Sequence, residues 1–281
     1  MTMEKTELLD IVRDFVDNTA LNRVSSADAI RPDLAGFRMY GQPLIGFAAA
    51  NDPYFDALRR PDIIGPHFRL PEEWLPGAQS VLSIFAPFTK EVIDTNRLDP
   101  EWPSAEWLHA RFEGQTMINA LCMHLVQALE KNGHQAIAPA LHADFKISGR
   151  QSRTPEEQEA PSYTSNWSER HVAHIAGLGT FGLSAALITR MGASGRIGSI
   201  VTTCKIPADA RPYTRHDEYC NKCGTCVRRC PVSAISFENG KDKHICSIFL
   251  DRTEEAFAPR YGCGKCYVSV PCERRIPGQS K

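Results

Sequence analysis

Apolar and polar positions along the chain follow two periods, and the places where the period changes divide it into elements. Glu7 to Val16 carries Leu8, Leu9, Ile11, Val12, Phe15 and Val16, the stripe of an amphipathic helix. From Ala20 to Pro76 prolines and short runs break any sustained pattern. Ser80 to Phe85 reads as a buried strand that Pro87 ends. The longest helical signal is Ser104 to Asn132, with apolar residues such as Trp107, Met117, Leu121, Leu125 and Leu129 on a packed face. Ser104 is placed to cap it, Glu106 lies in its first turn, and Gly133 follows its end. Gln135 to Ala138 reads as a short strand.

Gly149 to Ser165 is polar and predicts a surface loop. A short helix from about Ser168 to Ile175, with Ser168 as N-cap, runs into the glycine-rich stretch Gly177-Leu-Gly-Thr-Phe-Gly182. Ala185 to Thr189 and Ile197 to Thr203 predict two strands joined by the turn Met191 to Gly195. A change of composition at about Pro207 to Pro212 divides the chain into an α/β body, 1–210, and a cysteine module, 211–281.

Composition sharpens this picture. The chain has 281 residues, 42% of them hydrophobic, enough for a core without disulfide staples. With 32 basic and 33 acidic residues, nothing calls for a phosphate backbone or an anionic membrane. No run approaches the roughly 18 apolar residues of a membrane span. The N-terminal ten residues have no apolar core of a secretory signal, so the expectation is a soluble, cytoplasmic chain.

Nine of the ten cysteines fall in the last third, and clustered thiols in a reducing compartment point to metal. Cys220-x2-Cys223-x2-Cys226-x3-Cys230-Pro231 has the spacing of bacterial ferredoxins, in which the fourth cysteine serves the other cluster of a pair. Two-residue gaps let a tight loop present three sulfurs to one cube, and the longer gap carries the fourth sulfur past it. Cys246, in a helix expected over 244–250, then Cys263-x2-Cys266 and Cys272 supply the remaining ligands. Cys220, Cys223, Cys226 and Cys272 are therefore assigned to one [4Fe–4S] cluster. Cys230, Cys246, Cys263 and Cys266 are assigned to a second. Structural zinc also uses cysteine pairs at this spacing, though a third cysteine two residues on and Cys-Pro are unusual there. Cys122 and Cys204 sit among apolar residues and read as core thiols.

Glu169-Arg170-x5-Ala176-Gly177-Leu178-Gly179-x2-Gly182, followed by Leu187-Ile188-Thr189, Gly192, Arg196-x-Gly198 and Thr202, resembles epoxyqueuosine reductases and their relatives, the corrinoid-dependent reductive dehalogenases. The cysteine run with Cys246, Cys263 and Cys266 is similar to the double-cluster module of both. The resemblance covers about 162–272 and implies an α+β chain: a flavin-reductase-like (nitroreductase-like) α/β body and a C-terminal double-[4Fe–4S] ferredoxin-like module. It implies a cobalamin against Gly177, Leu178, Gly179 and Gly182 and against Arg196, Gly198 and Thr202. The same glycines would also serve a tight helix-to-strand turn with no cofactor.

Three departures qualify what the resemblance implies. The family's Asp-x2-Pro-x2-Glu pattern places Tyr163 where the proton-donating aspartate belongs and Asn166 where the proline belongs. Reductive dehalogenases resemble this in using a tyrosine, so Tyr163 is the candidate proton donor, although a loop aromatic also serves packing. The sequence ends nine residues after Cys272, short of the helical-repeat domain with which epoxyqueuosine reductases help hold tRNA, and its net charge is −1, so nucleic acid is not the expected partner. Cys266-x5-Cys272 is also two residues longer than the family spacing. His171 would be a pocket acid, a cobalt ligand or a satisfied helix histidine. The leading expectation is a reductase that takes electrons from ferredoxin or flavodoxin and passes them through two clusters to a corrinoid and a small substrate. The alternatives are a two-cluster electron-transfer protein without corrinoid and a tRNA epoxyqueuosine reductase lacking its extra domain.

Overall fold

The computed structural model describes residues 3–148 and 163–279. Its first half runs α1 (Lys5–Asn18), β1 (Leu44–Ala49), α2 (Pro53–Ala57), α3 (Pro71–Trp74), β2 (Ser80–Pro87), α4 (Lys90–Thr95), α5 (Ala105–Lys131), β3 (Ala136–Ile137) and β4 (Ile147–Ser148). The second half runs β5 (Thr164–Ser165), α6 (Glu169–Ile175), β6 (Gly179–Phe181), β7 (Leu187–Thr189), β8 (Gly195–Thr202), α7 (Thr225–Arg228), β9 (Ile235–Ser236), β10 (Gly240–Lys241) and α8 (Lys243–Phe257). Apart from 163–165, the polar loop expected over 149–165 lies outside the described residues.

The frame is an antiparallel sheet in the order β1-β2-β8-β3. Every residue of β2 is buried, because helices cover both faces of the sheet. Its side chains divide with the strand's period of two: Leu82, Ile84 and Ala86 join the core around α5, whereas Val81 and Phe85 pack on the α6 side. α1 buries Leu8, Val12 and Val16 in the α5 core. Cys122 and Cys204 are buried in that core, as expected of core thiols.

α5 is delimited as the sequence predicts. The Ser104 hydroxyl accepts from the Trp107 amide at 3.2 Å. At the other end Gly133 takes a φ of +82°, and the His134 and Gly133 amides return to the carbonyls of Leu129 and Glu130. This 6→1 and 5→2 pair of bonds closes the last turn.

One local expectation is corrected. Ser168 occupies the N-cap position of α6, but its hydroxyl bonds the His171 ring nitrogen at 2.8 Å and caps no amide. The two strands expected on either side of the Met191–Gly195 turn are present as β7 and β8; β7 pairs with β6, and β8 lies between β2 and β3. A bridge between Thr189 and Gly192 reverses the chain early and sends β8 into a different sheet. Among the described residues no helix is long and apolar enough to cross a membrane.

Candidate metal centre and its cavity

The module's cysteines form two foursomes. Cys220, Cys223, Cys226 and Cys272 line a narrow cleft of about 20 Å³. Cys230, Cys246, Cys263 and Cys266 line a larger cavity of about 190 Å³ between the module and the body. All eight are free thiols. The local chain explains the division. Gly224, with φ +70°, turns the loop after Cys223 into the single turn of α7, which carries Cys230 away from its three predecessors. Asp242 caps α8 by accepting from the Ile245 amide at 2.9 Å, and α8 presents Cys246.

Cys272, whose spacing departs from the family pattern, is held by the body. Its carbonyl accepts from the Ala193 amide at 2.9 Å, and the Glu273 carbonyl accepts from the Ser194 amide at 3.3 Å. Glu273 also pairs with Arg97. The five-residue spacer after Cys266 is absorbed in this strand-like contact with the 192–194 turn.

The Cys263–Cys266 loop is seated just as firmly. Asn96, buried at the end of α4, donates to the Cys263 carbonyl at 3.0 Å and accepts from the Ser104 amide at 3.0 Å. Lys265 between the two cysteines is fully buried, and its ammonium donates to Asn96 O at 2.8 Å and Oδ1 at 3.2 Å. Burial draws that ammonium down to about 8.

Burial first, then neighbouring thiols, push Cys226 up to about 11 and Cys272 up to about 12. Among the described residues no three or more His, Cys, Asp or Glu are placed to hold a single ion. Four cysteines at each cavity match the four-thiolate donor set of an iron–sulfur cluster.

The residues expected to hold a corrinoid are placed differently. A β-carbon on Gly179 would meet the Ile188 carbonyl at 2.1 Å, and one on Gly198 would meet Cys122 Sγ at 2.6 Å. The missing side chains let β6 approach β7 and α5 approach β8. Gly177 faces the Ala210 carbonyl at 3.1 Å, Leu178 is buried in an apolar cluster, and Thr202 donates to the Gln135 carbonyl at 2.8 Å. None of these five fronts either cavity. Gly182 fronts the narrow cleft, and only Arg196 lines the larger one. Close packing of β6 on β7 and of α5 on β8 accounts for Gly179 and Gly198.

Tyr163, the candidate proton donor, stands against α8. It takes a left-handed φ of 60° and does not line the larger cavity. Ser247 gives its proton to the His244 carbonyl, so the Tyr163 hydroxyl donates to Ser247 Oγ, at 2.5 Å. Lys243 donates to the Tyr163 carbonyl at 3.1 Å. These bonds pin the residue to α8 beside Cys246. His171, lowered to about 4 chiefly by burial, packs on Phe181 as a satisfied helix histidine.

The sequence reading missed most of the cavity's charge. Arg111, Arg170 and Lys241 line it with Arg196, and Phe85, Phe88 and Trp107 supply apolar wall. Burial, then Arg111, pull the Arg196 guanidinium down to about 10. Arg170 and Arg196 belong to the motif that carries the resemblance, but Arg111 and Lys241 come from α5 and β10, and no local motif announces them.

Residues 213–236 match the 4Fe-4S binding domain family, which covers the run from Cys220 to Cys230. Beyond that segment, the epoxyqueuosine reductase of Listeria monocytogenes is 30% identical over 121 residues, covering 40% of this chain and 31% of the relative. That of Aliivibrio fischeri is 30% identical over 118 residues, covering 38% and 30%. The chain thus spans about a third of the length of these curated relatives. Among solved structures, a catabolic reductive dehalogenase in complex with 3-bromo-4-hydroxybenzoic acid superposes with a TM-score of 0.51 at 16% identity, over 97% of this chain and 37% of that one. An epoxyqueuosine reductase with a tRNA-Tyr stem loop gives 0.50 at 18% identity, over 84% and 63%. The chain is an iron–sulfur protein similar to epoxyqueuosine reductases, of mixed α and β structure and with a fold shared with reductive dehalogenases. The tRNA stem loop bound to one structural neighbour conflicts with the expectation that nucleic acid is an improbable partner.

Proposed function

We propose that this chain is an iron–sulfur reductase with two [4Fe–4S] clusters. Cys220, Cys223, Cys226 and Cys272 hold the outer cluster, and Cys230, Cys246, Cys263 and Cys266 the inner. The observation that carries this reading is the convergence of eight free cysteines, four and four, on two cavities. When bound, the clusters would supply one-electron chemistry at low potential. Cys223 is exposed, which suits delivery from a ferredoxin or flavodoxin, whereas Cys266 is buried against the body. Arg196, Arg170 and Lys241 hold a small substrate in the larger cavity, and Phe85, Phe88 and Trp107 limit water there. The division at about residue 210 and a flavin-reductase-like body belong to this reading, which a helix-covered antiparallel sheet supports.

Anaerobic reconstitution followed by iron and sulfide analysis tests it. Near eight iron per chain, falling to about four in both Cys272→Ala and Cys246→Ala, is expected. A protein that retains no more than four iron, or iron unaffected by either substitution, sinks the proposal. A cobalamin held against Arg196 belongs to this reading as well: a stoichiometric bound corrinoid on adding cobalamin supports it, and a spectrum that is a simple sum removes it.

The similarity to epoxyqueuosine reductases and the tRNA-bound neighbour favour a second reading, a reductase acting on a tRNA nucleoside. A tRNA complex at low salt that weakens as salt rises supports it, and no complex at low salt removes it.

A further inference from the structure

The larger cavity carries more positive charge than its surroundings balance. Arg111, Arg170, Arg196 and Lys241 line it, and no aspartate or glutamate does. Arg196 donates through Nε, at 3.0 Å, and through Nη2 to Gln115 Oε1, a neutral amide that leaves the guanidinium charge uncompensated. Arg170 reaches the Tyr267 hydroxyl at 3.5 Å, and Arg111 lies 4.3 Å from the centre of the Tyr261 ring. Among the described residues none of the four cations has a carboxylate partner.

The inner cluster accounts for only part of that charge. A doubly positive core on four thiolates contributes roughly two negative charges against four cations. The remaining like charges around one cavity repel one another, and an anion placed among them relieves that repulsion. The walls between the arginines are apolar and aromatic, including Phe85, Trp107 and Ile197.

We propose that the cavity binds a small oxyanion, a carboxylate or phosphate on a compact apolar body, between Arg196 and Arg170 and beside the inner cluster. The inference rests on the two-cluster reading and names the substrate class for it. Gln115 engages two of the Arg196 donors and leaves others for the anion, and a guanidinium fork pairs with two oxygens of either headgroup. The apolar walls then select for the body behind the headgroup.

The test uses the full chain with both clusters, its iron measured first. Benzoate, inorganic phosphate and the neutral control benzamide are titrated by calorimetry while the cluster potentials are followed by EPR. At least one oxyanion is expected to bind at least about tenfold more tightly than benzamide and to lower the potential of one cluster, because a fixed negative charge opposes the incoming electron. The oxyanion that binds more tightly tells a carboxylate from a phosphate headgroup. Arg196→Gln should weaken binding by about tenfold or more. Arg170→Gln should also weaken it, and because Arg170 is exposed, this variant keeps the test open if Arg196→Gln fails to fold. Full iron with no oxyanion bound, equal affinity for benzamide, or binding indifferent to both substitutions overturns the oxyanion site. An iron content near four or below overturns the two-cluster reading itself, before any ligand is added.

Discussion

Gly264 stands directly on Trp107: a β-carbon at this glycine would meet the indole ring at 2.0 Å. Its φ of +71° adds a conformation that alanine resists. The loop that carries Cys263 and Cys266 is therefore shaped against α5, and the inner cysteine set depends on the body for its geometry. Gly264→Ala should lower reconstituted iron from about eight to about four per chain, with the outer cluster's EPR signal retained. Unchanged iron would mean that the loop adapts to the indole.

Gly192 gives the complementary case. A β-carbon there would meet the Arg274 amide at 2.3 Å, in the strand-like contact that holds Cys272. Gly192→Ala should displace Cys272 and cost the outer cluster while the inner one remains. Iron analysis and EPR of the two glycine variants side by side check this opposition; loss of the same signal in both would remove it.

Asn96 links three segments through buried bonds to Cys263, Ser104 and Lys265. Asn96→Ala leaves the Ser104 amide, the Cys263 carbonyl and part of the Lys265 ammonium unsatisfied. A loss of roughly 2–4 kcal/mol in unfolding free energy is expected, measured by denaturant titration under anaerobic conditions. A change below about 0.5 kcal/mol would show that water or a shifted backbone replaces these bonds.

Glu169, on the first turn of α6, has two buried carboxylate oxygens with no hydrogen bond of ordinary geometry among the described residues. Burial pushes the carboxyl from 4.5 up to about 7, against a smaller pull from Ser199. Because the folded pKa is raised, the native state holds the proton more tightly than the unfolded chain. The stability this group contributes is complete below about 4.5 and is lost as pH rises through about 7. Glu169→Gln should remove that slope and make the protein more stable than the parent at pH 8 by thermal unfolding. An unchanged pH profile would place a counter-charge on Glu169.

The elements readable in the sequence are those with unbroken patterns and explicit ends. α1 and α5 show their stripes, and α5 also shows both caps. β1 was hidden because Gly46 interrupts its apolar run, and that glycine is there because the Ala176 carbonyl would lie 2.3 Å from a β-carbon. Such a contact between distant segments leaves no local trace. For the same reason the close packing at Gly177 and Gly179 could not be told in the sequence from a cofactor cradle. The cysteine foursomes were legible because ferredoxin spacing is itself geometry written along the chain. Arg111 and Lys241 were not, since they reach the cavity from α5 and β10, far from the motif that holds Arg170 and Arg196.

The outer and inner cysteine sets differ in their access to solvent: Cys223 is exposed, whereas Cys266 is buried beneath the body. Dioxygen arriving by diffusion meets the outer set first. Brief aeration of a fully loaded chain would then produce a half-stripped species, with oxidative damage confined to the rim and the interior centre intact. The body thus serves as a shield as well as a scaffold, and the order in which iron is lost in air maps which side faces solvent.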